Sequence, residues 1–183
     1  MSDVEMDSLP IEIEYNEDQQ LEDLGAEFLG FDLQGETYCV DILSVKEIRG
    51  WTEPTLLPNA PSYVKGIINI RGDIVPIIDI RERYGMDHSA YTKSTVIMIL
   101  SVMEGNRQRV MGLVVDAVND VLNIKAEEIK DPPKSGHKIS DENIEGLYNA
   151  NNKVYVILSV SSLLDLTDIE SHYRKQFSLE SVE

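Results

Sequence analysis

The apolar residues of this chain come in short runs of five to ten, nearly all separated by Gly, Pro, Asn or Asp, and that spacing leaves little room for long helices. Residues 26–33 and 36–41 are two such runs, joined by Gln34-Gly35, a hairpin signal. The spacing predicts further strands over 45–50, 66–70, 74–80, 94–103, 108–116, 118–124, 143–149 and 152–160. Ten short strands imply a mainly β architecture, closed or sandwich-like. Helix is expected only near the end: a turn over 161–166, then a short helix over 167–177 opened by Thr167 and Asp168 as caps.

An internal repeat sharpens this reading. Residues 66–84, GIINIRGDIVPIIDIRERY, lie without gaps over residues 146–164, GLYNANNKVYVILSVSSLL. Gly66 falls on Gly146, Asn69 on Asn149 and Ile77 on Ile157, and apolar positions 67, 74, 78 and 80 fall on 147, 154, 158 and 160. A second pair, residues 31–45 and 100–118, shares a strand, a Gly turn, a strand and a Val-Asp step (Val40-Asp41, Val115-Asp116). Two similar β lobes, each made of two hairpin-like units, account for both pairs. Where the second copy has Asn151-Asn152, an ordinary turn pair, the first has Arg71-Gly72. The turn does not itself require an arginine.

Of 183 residues, 33 are acidic and 16 basic, for a net charge of −17. Residues 1–27 hold ten carboxylates and no Lys or Arg, so residues 1–25 read as an acidic, solvated, disordered tail. The acidic body has no Lys/Arg stripe, which argues against nucleic acid as a partner. No apolar run approaches the roughly 18 residues needed to span a bilayer, and the start does not read as a signal peptide, so a cytoplasmic protein without membrane insertion is expected. The single cysteine, Cys39, sits between Tyr38 and Val40 as a packed strand residue.

Nothing in the sequence argues for catalysis. Asp73 and Asp79 share one face of a strand but stand roughly 20 Å apart, too far to share a reaction. His88, His137 and His172 lie far apart without metal-ligand spacing, and no phosphate loop or nucleophile elbow is present. No cofactor and no metal are expected. Arg71-Gly72-Asp73 lacks the secretory context in which that tripeptide has a meaning. A small β-barrel enzyme is the alternative from another class; it requires a pocket with converging polar groups.

Residues 27–50, 61–85 and 109–129, with the blocks Val-Lys-Glu-Ile (45–48), Asn-Ile-Arg-Gly (69–72) and Ile-Val-Pro-Ile-Ile-Asp (74–79), resemble the successive signatures of the CheW family of chemotaxis coupling proteins. The resemblance runs over about residues 26–166. It implies two SH3-like five-stranded β-barrel lobes on a shared core, followed by a C-terminal helix and tail over 167–183. It also implies a non-catalytic adaptor that bridges the cytoplasmic tip of chemoreceptors to the regulatory domain of the histidine kinase CheA, alongside other CheW copies, in membrane-associated arrays. An adaptor of a related chemosensory pathway, such as one governing surface motility, is the nearer alternative.

The resemblance assigns receptor binding to Val45, Glu47 and Arg71 in the groove between lobes. Gly66, Gly112 and Val121 are weaker candidates, with turns and core packing as their competing roles. At i, i+2 in one strand, Val45 and Glu47 are expected to face the same way, an apolar contact beside an acceptor. The kinase-facing surface has no short motif; Lys130 in the loop 129–140 is the only candidate, and that loop is either a neighbour contact or a solvated connector. Three features depart from the family pattern: the long acidic tail, Ile70 in place of the common Leu, and Tyr84 where Phe or Leu is frequent.

Overall fold

In the computed structural model, residues 24–87, 89–134, 136–165 and 167 are described. Ten strands form: β1 Ala26–Leu33, β2 Glu36–Asp41, β3 Val45–Gly50, β4 Val64–Ile70, β5 Asp73–Asp79, β6 Val96–Glu104, β7 Arg107–Val115, β8 Ala117–Ile124, β9 Ile144–Ala150 and β10 Lys153–Leu158. Each lies within two residues of its expected position. Two single-turn helices, α1 Ile80–Arg83 and α2 Val160–Leu163, follow β5 and β10. The helix expected over 167–177 falls, except for Thr167, outside the described residues, as does nearly all of the acidic tail.

The strands make two five-stranded curled sheets, ordered β8-β1-β2-β10-β9 and β3-β6-β7-β5-β4. The second sheet is built from one continuous stretch of chain, β3 to β7, inserted between β2 and β8 of the first. We call them the inserted lobe and the terminal lobe. The two hairpins β1-β2 and β6-β7 thus sit in opposite lobes, and each is extended by the strand that follows the other: β8 pairs β1, and β3 pairs β6.

The repeat is exact in register where it matters. Gly66 opposes Ile77 and Gly146 opposes Ile157, each beside a register shift. An isolated bridge lies next to each glycine, Thr55 with Ile67 and Lys130 with Leu147. In the parallel contacts Ile77 meets Gly112 and Ile157 meets Cys39, so Cys39 and Gly112 are equivalent positions. The Val-Asp steps noted in the sequence are therefore offset by two residues, because the turn of β6-β7 lies farther from this contact than the turn of β1-β2.

Three apolar clusters follow from strand alternation. Successive residues of β6 show the rule: Ile97 and Ile99 point into the inserted lobe, while Met98 and Leu100 point to the core shared by both lobes. In β10, Tyr155 and Ile157 fill the terminal lobe and Val156 and Leu158 join the shared core. Strands buried on both faces read as continuous apolar runs, which is why VIMIL (96–100) and YVIL (155–158) show no polar alternation. The shared core holds nineteen buried residues against five inside each lobe, so the lobes are expected to unfold as one unit.

Candidate functional site

The β4-β5 hairpin turns at Arg71-Gly72, with φ of +54° and +96°. Both central residues of a type I′ turn need positive φ, a requirement that favours Asn and Gly. Asn151-Asn152 meets it in the terminal lobe with φ of +49° and +63°. Asn69 secures the turn from outside: its Oδ1 accepts from the Gly72 N–H at 2.9 Å. Arg71 thus occupies a left-handed position that disfavours it by roughly 1 kcal/mol, and local structure gives no return for that cost.

Its guanidinium is 86 % exposed and stands 3.6 Å from Glu47 Oε2, while Arg49 Nε lies 3.5 Å from Glu47 Oε1. Glu47 therefore sits between two cations. These groups rim an open cleft of about 290 Å³ at the mouth of the inserted lobe. Its floor is Ile70, Val75, Ile99 and Val110, and Lys46, Asp73 and Gln108 complete the rim.

Glu47 and Arg71 are thus brought together, but Val45 does not join them on one face. The β3-β6 register shifts between Val45, opposite Leu100, and Glu47, opposite Ile99. Lys46 is the extra residue of a β-bulge, and a bulge resets the alternation. Val45 packs against the shared core with Leu100, whereas Glu47 stands over the inserted lobe with Ile99. The expectation that i, i+2 spacing aligns them is corrected by that one residue. The apolar floor beside the charges comes from β4 to β7 instead. β3 remains an edge strand paired only to β6, and Ile48, 45 % exposed, lies opposite Met98 on the Val45 flank.

The other candidates lie elsewhere. Gly66, at φ +137°, is buried where a Cβ would overlap the Thr55 carbonyl oxygen. Gly112 lies inside the inserted lobe, where a Cβ would come within 2.5 Å of Ile77 Cδ1 and 2.8 Å of Ile97 Cγ2. Val121 is 50 % exposed on β8, in the terminal lobe. Lys130 exchanges two backbone hydrogen bonds with Leu147, at 2.9 and 2.8 Å, and is exposed.

A buried polar network went unread in the sequence. Arg81, 1 % exposed, holds Asp79 with two prongs, Nε to Oδ1 at 2.9 Å and a terminal NH₂ to Oδ2 at 2.7 Å. Its other terminal nitrogen donates to Asp116 Oδ1 at 2.7 Å, and Asp116 Oδ2 accepts from the Gln34 N–H at 2.6 Å. Gln34 is the turn of β1-β2, so the network ties one lobe to the other. Burial pushes the Asp79 carboxyl up, but the hydrogen bonds and charge of Arg81 outweigh it and hold the group below the usual carboxylate range. The Asp-x-Arg spacing at a strand-to-helix junction was the available signal, since Asp79 also caps α1 through the Arg81 N–H at 3.0 Å. Among the described residues no group of His, Cys, Asp and Glu is arranged to hold a metal, and no helix is long and apolar enough to cross a membrane.

Comparison with known proteins agrees with this architecture. The CheW-like domain matches residues 27–168. The chain is similar to the chemotaxis protein CheW of Klebsiella aerogenes, 39 % identical over 143 residues that cover 78 % of this chain and 84 % of the relative. It is also similar to the chemotaxis protein CheW of Bacillus subtilis, 31 % identical over 80 % of this chain and 92 % of the relative. The crystal structure of the scaffolding protein TtCheW from Thermoanaerobacter tengcongensis superposes with a TM-score of 0.66 at 31 % identity, covering 74 % of this chain and 85 % of that one. With two five-stranded lobes on one core and matches of this extent, the chain belongs to the CheW-like family.

Proposed function

We propose that this chain is a non-catalytic adaptor that couples chemoreceptors to the histidine kinase CheA, and that the receptor docks on the β3 edge beside Arg71. The observation that carries the reading is Arg71 itself. An exposed arginine is held at φ +54° where the repeat has asparagine, and its guanidinium is oriented by Glu47. A planar donor steered in this way suits a carboxylate or a helix-end carbonyl on a partner. A receptor helix laid along β3 meets Val45 and Ile48 on one flank and the Glu47–Arg71 pair on the other, which is helix recognition by an apolar strip with a charged border. Gly66 and Gly112 act in this reading through packing rather than contact. The relatives named for chemotaxis support the receptor and kinase as partners, and with them a place in membrane-associated arrays.

Arg71→Asn tests the assignment. The substitution removes a donor worth about 1.5–3 kcal/mol when charge-assisted, so the affinity for a receptor signalling domain falls about tenfold or more. The same change relieves the turn by about 1 kcal/mol, so the melting temperature holds or rises by about 2–4 °C. Pull-down and kinase stimulation in a reconstituted receptor–CheA mixture, with calorimetric melting alongside, measure both. Unchanged binding at higher stability assigns the receptor contact elsewhere.

A further inference from the structure

Among the described residues, one buried side-chain polar atom has no hydrogen-bond partner: Nε2 of His137. Such orphans are few in folded proteins, and each needs a cause. His137 lines an open cleft of about 420 Å³ on the terminal lobe, where Val154 and Val156 form the floor and Lys153 part of the rim. Val156 belongs to the shared core, yet Val154 beside it on the same face is 53 % exposed. Lys153 is exposed and has no side-chain partner among the described residues. Lys138 stands 3.8 Å from Glu36 at the same cleft, and Glu36 is already engaged by the Tyr38 hydroxyl at 2.6 Å.

The chain's own N-terminal stretch has the complementary chemistry. Residues 10–15, PIEIEY, alternate apolar and acidic side chains. In extended form Ile11, Ile13 and Tyr15 share one face and Glu12 and Glu14 the other. Reach is sufficient as well. β1 starts at Ala26, and the cleft lies at Gly35–Thr37, past its far end, roughly 26 Å along the strand. The nine steps from Tyr15 to Leu24 span up to about 30 Å.

We propose that residues 10–15 dock in this cleft of the same molecule, with Ile11, Ile13 and Tyr15 on Val154 and Val156, and with Glu12 and Glu14 within reach of Lys153 and Lys138. The docked segment covers an apolar residue that the fold leaves open, and it holds the negative charge of the tail against the one cationic rim near the start of the chain. It is independent of the receptor site, which lies at the mouth of the other lobe.

A nitroxide placed by Ser8→Cys in the full-length chain tests the contact. Cys39 is buried, and burial pushes its thiol up to about 12, so the label goes to residue 8. The amide signals of Gly35–Thr37 and Lys153–Val154 lose most of their intensity, while those around Arg71 keep theirs. Glu12→Lys with Glu14→Lys restores the lost signals, as does about 1 M salt, where the screening length is ~3 Å. Attenuation that is uniform, or centred on another surface, overturns the proposal. So does attenuation that appears when a labelled chain is mixed with an isotope-enriched unlabelled one, since that outcome assigns the cleft to a second copy.

Discussion

Arg81→Ala lowers the unfolding free energy by about 3–5 kcal/mol, the usual cost of leaving one member of a buried ion pair alone. For a chain of 183 residues this is a fall in melting temperature of about 10 °C. Asp79 is fully buried, and two prongs of the guanidinium neutralise it. Without them a carboxylate remains in an apolar setting, and the bond to Asp116 that links the lobes is lost with them. Arg81→Lys retains charge but not the fork, and falls between the two.

The effect depends on pH in a defined direction. In the native chain the Asp79 carboxyl is held below its unfolded value, so its contribution is present above about pH 4 and is lost as pH falls through the folded value. In Arg81→Ala burial acts unopposed and raises the carboxyl, so the variant recovers stability as the group protonates. The deficit therefore narrows as pH is lowered from 7 toward about 4. Urea unfolding across that range measures it. A deficit that stays constant with pH removes Asp79 from the explanation, and one below about 1 kcal/mol shows the pair to be worth no more than a surface bridge.

Gly66→Ala carries the other large effect, about 3 kcal/mol, from two sources of about 1–3 kcal/mol each: positive φ in a residue with a Cβ, and overpacking. The new Cβ overlaps the Thr55 carbonyl oxygen, a backbone atom that cannot rotate away. To make room, the segment around Thr55 must lift from β4 and give up its two hydrogen bonds with Ile67, at 2.9 and 2.8 Å. Amide exchange at Thr55 and Ile67 should then accelerate well ahead of the rest of the sheet. Gly72→Ala separates the two sources. Gly72 also has positive φ, +96°, but a Cβ there meets nothing within 4 Å. It should cost about 1 kcal/mol. Equal losses at the two positions rule out the Thr55 clash.

The same repeat explains why the sequence showed so much of the fold. Gly66 and Gly146 align in the sequence because each allows a passing segment to bridge onto its strand, Thr55 in one lobe and Lys130 in the other. Gln34-Gly35 reads as a tight turn because both residues adopt positive φ, +51° and +79°. Asn69 and Asn149 align at hairpins that need the same geometry, and Asn69 closes its turn with its side chain. These are local demands of backbone conformation, and they select residue types that stand out in the chain.

Arg71 and Glu47 were legible as a pair only through resemblance to a family; their 24-residue separation carries no signal of its own. Val45 was placed on the wrong face for a reason strand periodicity cannot supply. A bulge at Lys46 leaves the apolar pattern intact and changes only the pairing. Arg81 passed unnoticed because a charged residue in a turn ordinarily faces water, and only the arrival of Asp116 and the Gln34 turn from distant chain closes over it.

By itself the sequence determined ten strands, their turns and the twofold repeat, because each depends on contacts between near neighbours and on which residues tolerate positive φ. Tertiary structure decided which hairpin joins which lobe, which way Val45 faces and what neutralises Asp79. Those outcomes depend on parallel pairings such as Tyr38 with Val156 and Ile78 with Leu113, between strands far apart in the chain. Every core strand is apolar on both faces, so each fits several neighbours equally well by pattern, and only the joint packing of one shared core selects among them.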